Sequence, residues 1–214
     1  MKRAIVIGGT GLVGTQLIKQ LVEDEKYSEI VSLVRRSSGE THPKLQEIIV
    51  NFDQTQSWSH LVTGDVLFSA LGTTIAQAKT KAAQFKVDYT YQYMVAKSAA
   101  ENGVETYVLI SSAGASSKSK VFYTSMKGQL EDAVQILPFK QIAIIRPGQL
   151  AGNRTENRKG EKIALSVMYF INKLGLLKQY RPIQASLVAR AMINAVESEK
   201  STSYSLDEVF ELAK

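Results

Sequence analysis

Lys2 to Ile7 reads KRAIVI, and the next seven residues, Gly8 to Gly14, read GGTGLVG. A basic start giving way to an unbroken, β-branched apolar run is the pattern of a parallel strand buried on both faces, and the glycines after it let the chain turn where a Cβ would clash. From Thr15 to Val22, residues Leu17, Ile18, Leu21 and Val22 recur at helical spacing. The stretch is therefore strand, glycine turn, helix. A helix N-terminus reached through glycines presents unpaired N–H groups and the positive end of the helix dipole, so it can hold a pyrophosphate. Gly8, Gly11 and Gly14 stand three apart, unlike the commoner G-x-G-x-x-G. A merely structural turn is the alternative; the position between a clean strand and a clean helix favours a dinucleotide site.

At 214 residues the chain suits one well-buried α/β domain and is short for two. A formal net charge of +6 suits an anionic ligand. The basic residues are scattered, with no Lys/Arg block and no aromatic-interleaved stripe, which speaks against nucleic acid. The absence of cysteine excludes disulfides, thiolate metal sites and cysteine nucleophiles together. His42 and His60, the two histidines, lie in polar stretches and read as surface residues, so no metal is expected. No signal peptide is visible, and no apolar run approaches the roughly eighteen residues of a membrane span. The expectation is a cytoplasmic protein without membrane association.

Further strands are expected at Glu29 to Val34, Leu45 to Phe52, Asp65 to Leu71, Glu105 to Ile110 and Gln141 to Ile145. With helices between them, these make a single doubly wound Rossmann-type α/β domain over residues 1–214, its sheet mostly parallel and helices on both faces. Arg35-Arg36-Ser37-Ser38 follows the second strand, with no Asp or Glu between Ile30 and Gly39. An acidic side chain there would accept the ribose hydroxyls of NAD(H); arginines and serines can bind the 2′-phosphate of NADP(H), and two solvated arginines are the alternative. Ligands of open α/β sheets sit beyond the carboxyl ends of the strands, which puts Ala70, Leu71 and Gly72 on the cofactor path. Lys79 to Asn102 reads as one long helix with Phe85, Val87, Tyr91, Met94, Val95 and Ala99 inward, as packing. After Arg146-Pro147-Gly148, residues 147–185 form the expected substrate-facing segment, with a polar flap from Gln149 to Lys162 and an amphipathic helix from Ile163 to Leu174. That helix could be core, a pocket floor or a subunit contact, so monomer and homodimer both stay open. Helices at Ser186 to Ser198 and after Ser205 complete a small C-terminal helical segment over the site.

Three Y-x-x-x-K pairs occur: Tyr93/Lys97, Tyr123/Lys127 and Tyr169/Lys173. Residues four apart share a helix face, so each pair could reach a common ligand. Context separates them. Only Tyr123 and Lys127 follow, by about a dozen residues, a strand that ends in Ser111-Ser112; the other two read as ordinary helix residues.

Taken in order, GGTGLVG, LVRRSS, SALGTT, LISSAGA, YTSMKG and IIRPGQLAGNR span nearly the whole chain and resemble the atypical short-chain dehydrogenases/reductases. The likeness is to the branch related to the human Tat-interacting protein, whose bacterial members are described as NAD(P)H-binding oxidoreductases. Motif by motif, the resemblance implies NADP(H), in preference to NAD(H), held by Gly8, Thr10, Gly11, Leu12, Val13, Arg35, Arg36, Leu71, Gly72, Tyr123, Lys127, Leu150 and Arg158. It adds Phe52 and Asp53 at the adenine edge, where the alternative for Asp53 is a helix cap. It also implies reduction of a small carbonyl substrate, with Tyr123 as proton donor, Lys127 lowering its pKa and bonding the nicotinamide ribose, and Ser111 or Ser112 holding the substrate oxygen, Ser111 slightly favoured. Two alternatives stand beside it: epimerase or dehydratase chemistry with retained cofactor, and an NADPH-binding regulatory module with little turnover.

Overall fold

The structure, a computed structural model, describes residues 1–151, 181–198 and 200–214. Strands β1 (Lys2–Ile7), β2 (Tyr27–Val34), β3 (Leu45–Ile49), β4 (Val66–Ser69), β5 (Thr106–Ile110) and β6 (Gln141–Arg146) lie in one sheet. Two short strands, β7 (Leu150–Ala151) and β8 (Ile183–Gln184), pair with each other, and β9 (Thr202–Ser205) joins the main sheet. The sheet order is β3-β2-β1-β4-β5-β6-β9, parallel at every pairing. The chain winds outward from β1 to β3, then restarts at β4 on the other side of β1. The carboxyl ends of β1 and β4 therefore flank the point where the winding reverses, the place for a ligand in such sheets.

Alternation along the strands divides the core into two layers. Ala4, Val6, Val108 and Ala143 pack with Val13, Leu17 and Leu21 of α1 (Leu12–Glu23). Ile5, Ile7, Leu67, Tyr107 and Leu109 face the other way. Both faces are covered, which is why β1 is an unbroken apolar run. The second layer holds α2 (Thr55–Trp58), α3 (Ile75–Ala78), α4 (Lys81–Phe85), α5 (Gln92–Glu101) and α6 (Phe122–Gln135). On the α1 side lie α7 (Ala185–Ala195) and α8 (Asp207–Leu212). The single Rossmann-like α/β domain is as expected.

Several details differ from expectation. The helix expected over Lys79 to Asn102 is present and runs without interruption from Lys81 to Glu101; Lys79, at φ 70°, ends α3, and Thr80 caps the long helix by accepting from the Ala83 N–H. A π-helical turn at Lys86–Tyr91 then joins α4 to α5. The third strand stops at Ile49, short of Phe52. β9 was not expected, because an edge strand reading TSYS, exposed at its start, carries no apolar run. Of the C-terminal helical segment expected over the site, α7 is instead core, with Val188 and Met192 fully buried beside α1. The helix expected at 163–174 and most of the flap lie outside the described residues.

Candidate functional site

The glycine turn is held by space as much as by conformation. Gly8 adopts φ +80°, and a Cβ there would stand 2.4 Å from the backbone of Ala70 and Leu71. A Cβ on Gly14 would come 2.0 Å from the Gly8 carbonyl oxygen. Helix α1 is thus seated on the turn, and its first-turn N–H groups have no carbonyl one turn earlier to bond. Leu12 and Val13 begin that turn, but the Val13 side chain is core and Leu12 packs against it, so backbone N–H groups are what they offer a ligand.

A cavity of about 130 Å³ opens over the turn. Gly8, Thr10 and Gly11 line it together with Arg35 and Arg36 at the end of β2, Phe52, and Ala70, Leu71 and Gly72 at the end of β4. A larger cavity of about 720 Å³ adjoins it, sharing Gly9, Thr10 and Arg36, and is bounded by α1 and the 36–45 loop, including half-buried His42. Arg35 and Arg36 are exposed, and no described residue pairs with either. Ser37 and Ser38 are already engaged: both hydroxyls and the Ser38 N–H donate to Glu47 of β3, at 2.7, 2.6 and 3.0 Å. Burial alone would raise the Glu47 pKa, but the bonds from Ser38 and Ser37 outweigh it and hold the carboxyl below its usual range. An acidic group absent from the β2 loop is thus supplied by the next strand, where it ties down the loop carrying the arginines.

Phe52 is buried and stacks on Tyr91, with ring centroids 5.4 Å apart. Asp53 is exposed and lies outside the cavity. It ion-pairs with Lys86 at 2.7 Å and accepts from the Tyr91 hydroxyl at 2.9 Å. These partners hold its pKa down, Lys86 first. It caps nothing, since Gln54 is the N-cap of α2 and makes no side-chain cap bond.

The unexpected feature is a buried polar chain behind Gly72. Gln84, Asp88 and Gln92 recur every fourth residue through the π-helical turn, and all are buried. The Ser69 hydroxyl donates to Gln92 Oε1 at 2.7 Å, and Gln92 Nε2 donates to the Asp88 carbonyl at 2.6 Å. The Asp88 carboxylate accepts from the Thr73 N–H at 3.1 Å and lies 3.6 Å from Lys127 Nζ. A Cβ on Gly72 would come 3.1 Å from its Oδ1. Desolvation raises the Asp88 pKa, with Lys127 and Thr73 acting against it. The signal was in the sequence: residues 84, 88, 92, 95 and 99 share a helical face, and polar groups on a core face need partners. Reading only the apolar positions passed over it.

Tyr123 and Lys127 lie one turn apart on α6, Tyr123 at its exposed start and Lys127 only 3 % exposed. Two contacts seat this helix. A Cβ on Gly128 would stand 2.2 Å from the Ser116–Ser117 backbone, so the preceding loop lies directly on the helix at this point. Glu131, four residues beyond Lys127, accepts from Arg146 at both carboxylate oxygens, 3.0 Å at Oε1. Arg146, at the end of β6, is thereby a clamp on α6, and Glu131 raises its pKa.

The serines are separated by the sheet. Tyr107 and Leu109 face α5 and α6, while Val108 and Ile110 face α1 and α7. The ladder continues past β5, with Ser111 N–H donating to the Ile145 carbonyl and Ala113 N–H to that of Pro147. The alternation thus puts Ser111 on the α6 side and Ser112 on the other. Ser111 is buried with its hydroxyl unpartnered, whereas Ser112 donates to the Ala113 carbonyl at 3.3 Å. Leu150 is half-buried in β7 and packs against the α1-side core. Arg158 lies outside the described residues. No metal-holding cluster occurs among the described residues, and no helix there is long and apolar enough to cross a membrane.

A family model described as NAD(P)H-binding matches residues 8–199. The mitochondrial protein fmp52 of Emericella nidulans is 32 % identical over 206 residues, 91 % of this chain and 87 % of that protein. The mitochondrial FMP52 of Saccharomyces cerevisiae is 38 % identical over 160 residues, covering 72 % and 68 %. Their names overturn the cytoplasmic expectation, which rested on the absence of a secretory signal and a membrane span. Neither absence distinguishes cytoplasm from an organelle interior. Among solved structures, the Bordetella bronchiseptica enzyme WbmH in complex with NAD+ superposes with a TM-score of 0.72 at 14 % identity, covering 99 % of this chain and 80 % of that one. The oxidoreductase ylbE of Lactococcus lactis gives 0.68 at 14 %, covering 98 % and 95 %. These likenesses are of fold, and the free N–H groups at the start of α1, beside the cavity lined by Gly8, Thr10, Gly11 and Gly72, suit a pyrophosphate. With its turn, its switch point and the match across residues 8–199, the chain belongs to the NAD(P)H-binding family.

Proposed function

We propose that the protein is an NADP(H)-dependent oxidoreductase of the short-chain type, of the branch related to the human Tat-interacting protein, that reduces a small carbonyl compound. Ser111, Tyr123 and Lys127 are its catalytic set, and residues 147–185 its substrate-facing segment. The observation that carries this reading is Lys127, a lysine buried against the Gly72–Thr73 loop through Asp88, one helical turn from a solvent-reaching tyrosine.

The α1 N–H groups would hold the pyrophosphate, and the exposed Arg35 and Arg36 would meet the 2′-phosphate. When bound, the nicotinamide supplies the hydride. A free tyrosine has a pKa of about 10 and is a weak base at neutral pH. Lys127, one helical turn away on α6, is the cation placed to assist Tyr123 in proton transfer. Tyr123 gives its proton to the substrate oxygen. Ser111, rather than Ser112, donates a hydrogen bond to that oxygen, because it shares the α6 face and its hydroxyl has no partner among the described residues. Reaching a substrate requires that buried hydroxyl to turn outward.

The test is NADPH consumption across a panel of aldehydes and ketones. Tyr123→Phe should keep NADPH binding and lose about 100-fold or more in reduction, the scale of a lost general acid. Wild-type turnover without net NADPH consumption would sink the reductase reading. A cofactor-loaded interaction module is the second reading, favoured by one observation: the Lys127 charge is already met by Asp88. It expects NADPH binding, no reduction, and an NADPH-dependent change in self-association or partner capture.

A further inference from the structure

We infer that Asp88 is a positioning residue that acts through Lys127, pinning its ammonium and the Gly72–Thr73 loop to one point and setting how strongly Lys127 favours the Tyr123 phenolate. The inference rests on the proposed roles of Tyr123 and Lys127. Asp88 and Lys127 side chains are only 2 % and 4 % exposed, so neither is screened by water. The carboxylate is fixed from three sides. Thr73 N–H donates to it, Gly72 leaves room for it, and its own helix is tied back to β4 through Gln92 and Ser69. The π-helical turn brings Asp88 to this place, and such turns recur at functional sites.

Other charged or titratable groups stand on α6 and on the elements near it; on the π-helical turn itself, Lys86 and Tyr91 are engaged with Asp53. Glu131 and Tyr123 stand one turn away on α6, Glu131 bound in turn by Arg146 of β6. Lys81 of α4 lies 5.5 Å from the ring of Phe122, beside Tyr123. Glu131 already has its counter-ion in Arg146, and Lys81 is itself exposed. The Asp88 carboxylate is therefore the charge that compensates Lys127. A compensated ammonium stabilises a neighbouring phenolate less than a bare one. Removing the carboxylate while keeping a group that accepts from Thr73 N–H should lower the pH at which Tyr123 ionises.

The experiment is a pH titration of Tyr123 by its Cζ resonance in 13C-tyrosine-labelled, NADP+-bound protein, the signal assigned by its loss in Tyr123→Phe. It needs no turnover, so failure of the reductase reading leaves it interpretable. Asp88→Asn should move the midpoint down by about 1 pH unit, the low end of the effect of a nearby charge. An unchanged or raised midpoint overturns the inference. In a Lys127→Met background, adding Asp88→Asn should move the midpoint by well under about 1 pH unit, because the ammonium that carries the effect is gone. That pair leaves no buried ammonium unpaired, so the comparison stands even if Asp88→Asn alone does not fold. A downward shift of about 1 pH unit or more in that background means that Asp88 acts on Tyr123 directly, which overturns the route through Lys127.

Discussion

Replacing Gly128 by alanine sets two effects of opposite sign against each other. Gly128 lies inside α6, where alanine is favoured over glycine by about 1 kcal/mol in an exposed helix. Helix propensity alone therefore expects a more stable protein. The structure expects the reverse. The new Cβ would meet the Ser116 carbonyl carbon and the Ser117 nitrogen, both at 2.2 Å, where ordinary contact begins at 3.4 Å. Those are backbone atoms of a loop that is itself held, Ser116 N–H donating to the Thr124 carbonyl at 3.0 Å and Ser125 hydroxyl to the Ser117 carbonyl at 3.3 Å. No flexible side chain can give way, so the clash falls toward the upper part of the usual overpacking cost, about 2 to 3 kcal/mol. Subtracting the propensity gain leaves a net loss of about 1 to 2 kcal/mol. For a domain of this size that is a fall in Tm of about 2 to 8 °C. Thermal and urea denaturation of Gly128→Ala beside Gln129→Ala, its exposed neighbour on α6, measures it. A Tm equal to or above wild type in Gly128→Ala would refute the packing argument.

Two further outcomes are expected. Arg35→Ala and Arg36→Ala, singly, should erode a preference for NADPH over NADH by about 10- to 100-fold where the side chain meets the 2′-phosphate directly, as read by calorimetry with both cofactors. Equal wild-type affinities would remove the argument. Glu131→Gln should cost about 2 to 3 kcal/mol in urea denaturation, somewhat below a fully buried pair because the Arg146 side chain keeps 27 % of its exposure; a change under about 0.5 kcal/mol would show that Arg146 does not clamp α6.

What the linear order of residues determined here is whatever depends on neighbours a few positions apart. The run AIVI before the glycines, the helical recurrence of Leu17, Ile18 and Leu21 after them, and the arginines following β2 are local patterns, and they were enough for the Rossmann-like fold and the dinucleotide turn. β9 escaped because a partly exposed edge strand has no apolar alternation to read, and the π-helical turn at Lys86–Tyr91 because a locally widened helix leaves little mark in composition. Tertiary structure alone decided how the site is wired. Glu47 reaches Ser37 and Ser38 from another strand, Arg146 reaches Glu131 across the sheet, and Asp88 reaches Lys127 between two helices. Ser111 and Ser112 are alike as adjacent letters, and only the β5 register, with a helix layer on each face, sends them to opposite sides. The physical reason is common to all four: a charge or hydroxyl finds its partner through the packing of distant elements, and no spacing along the chain encodes that distance.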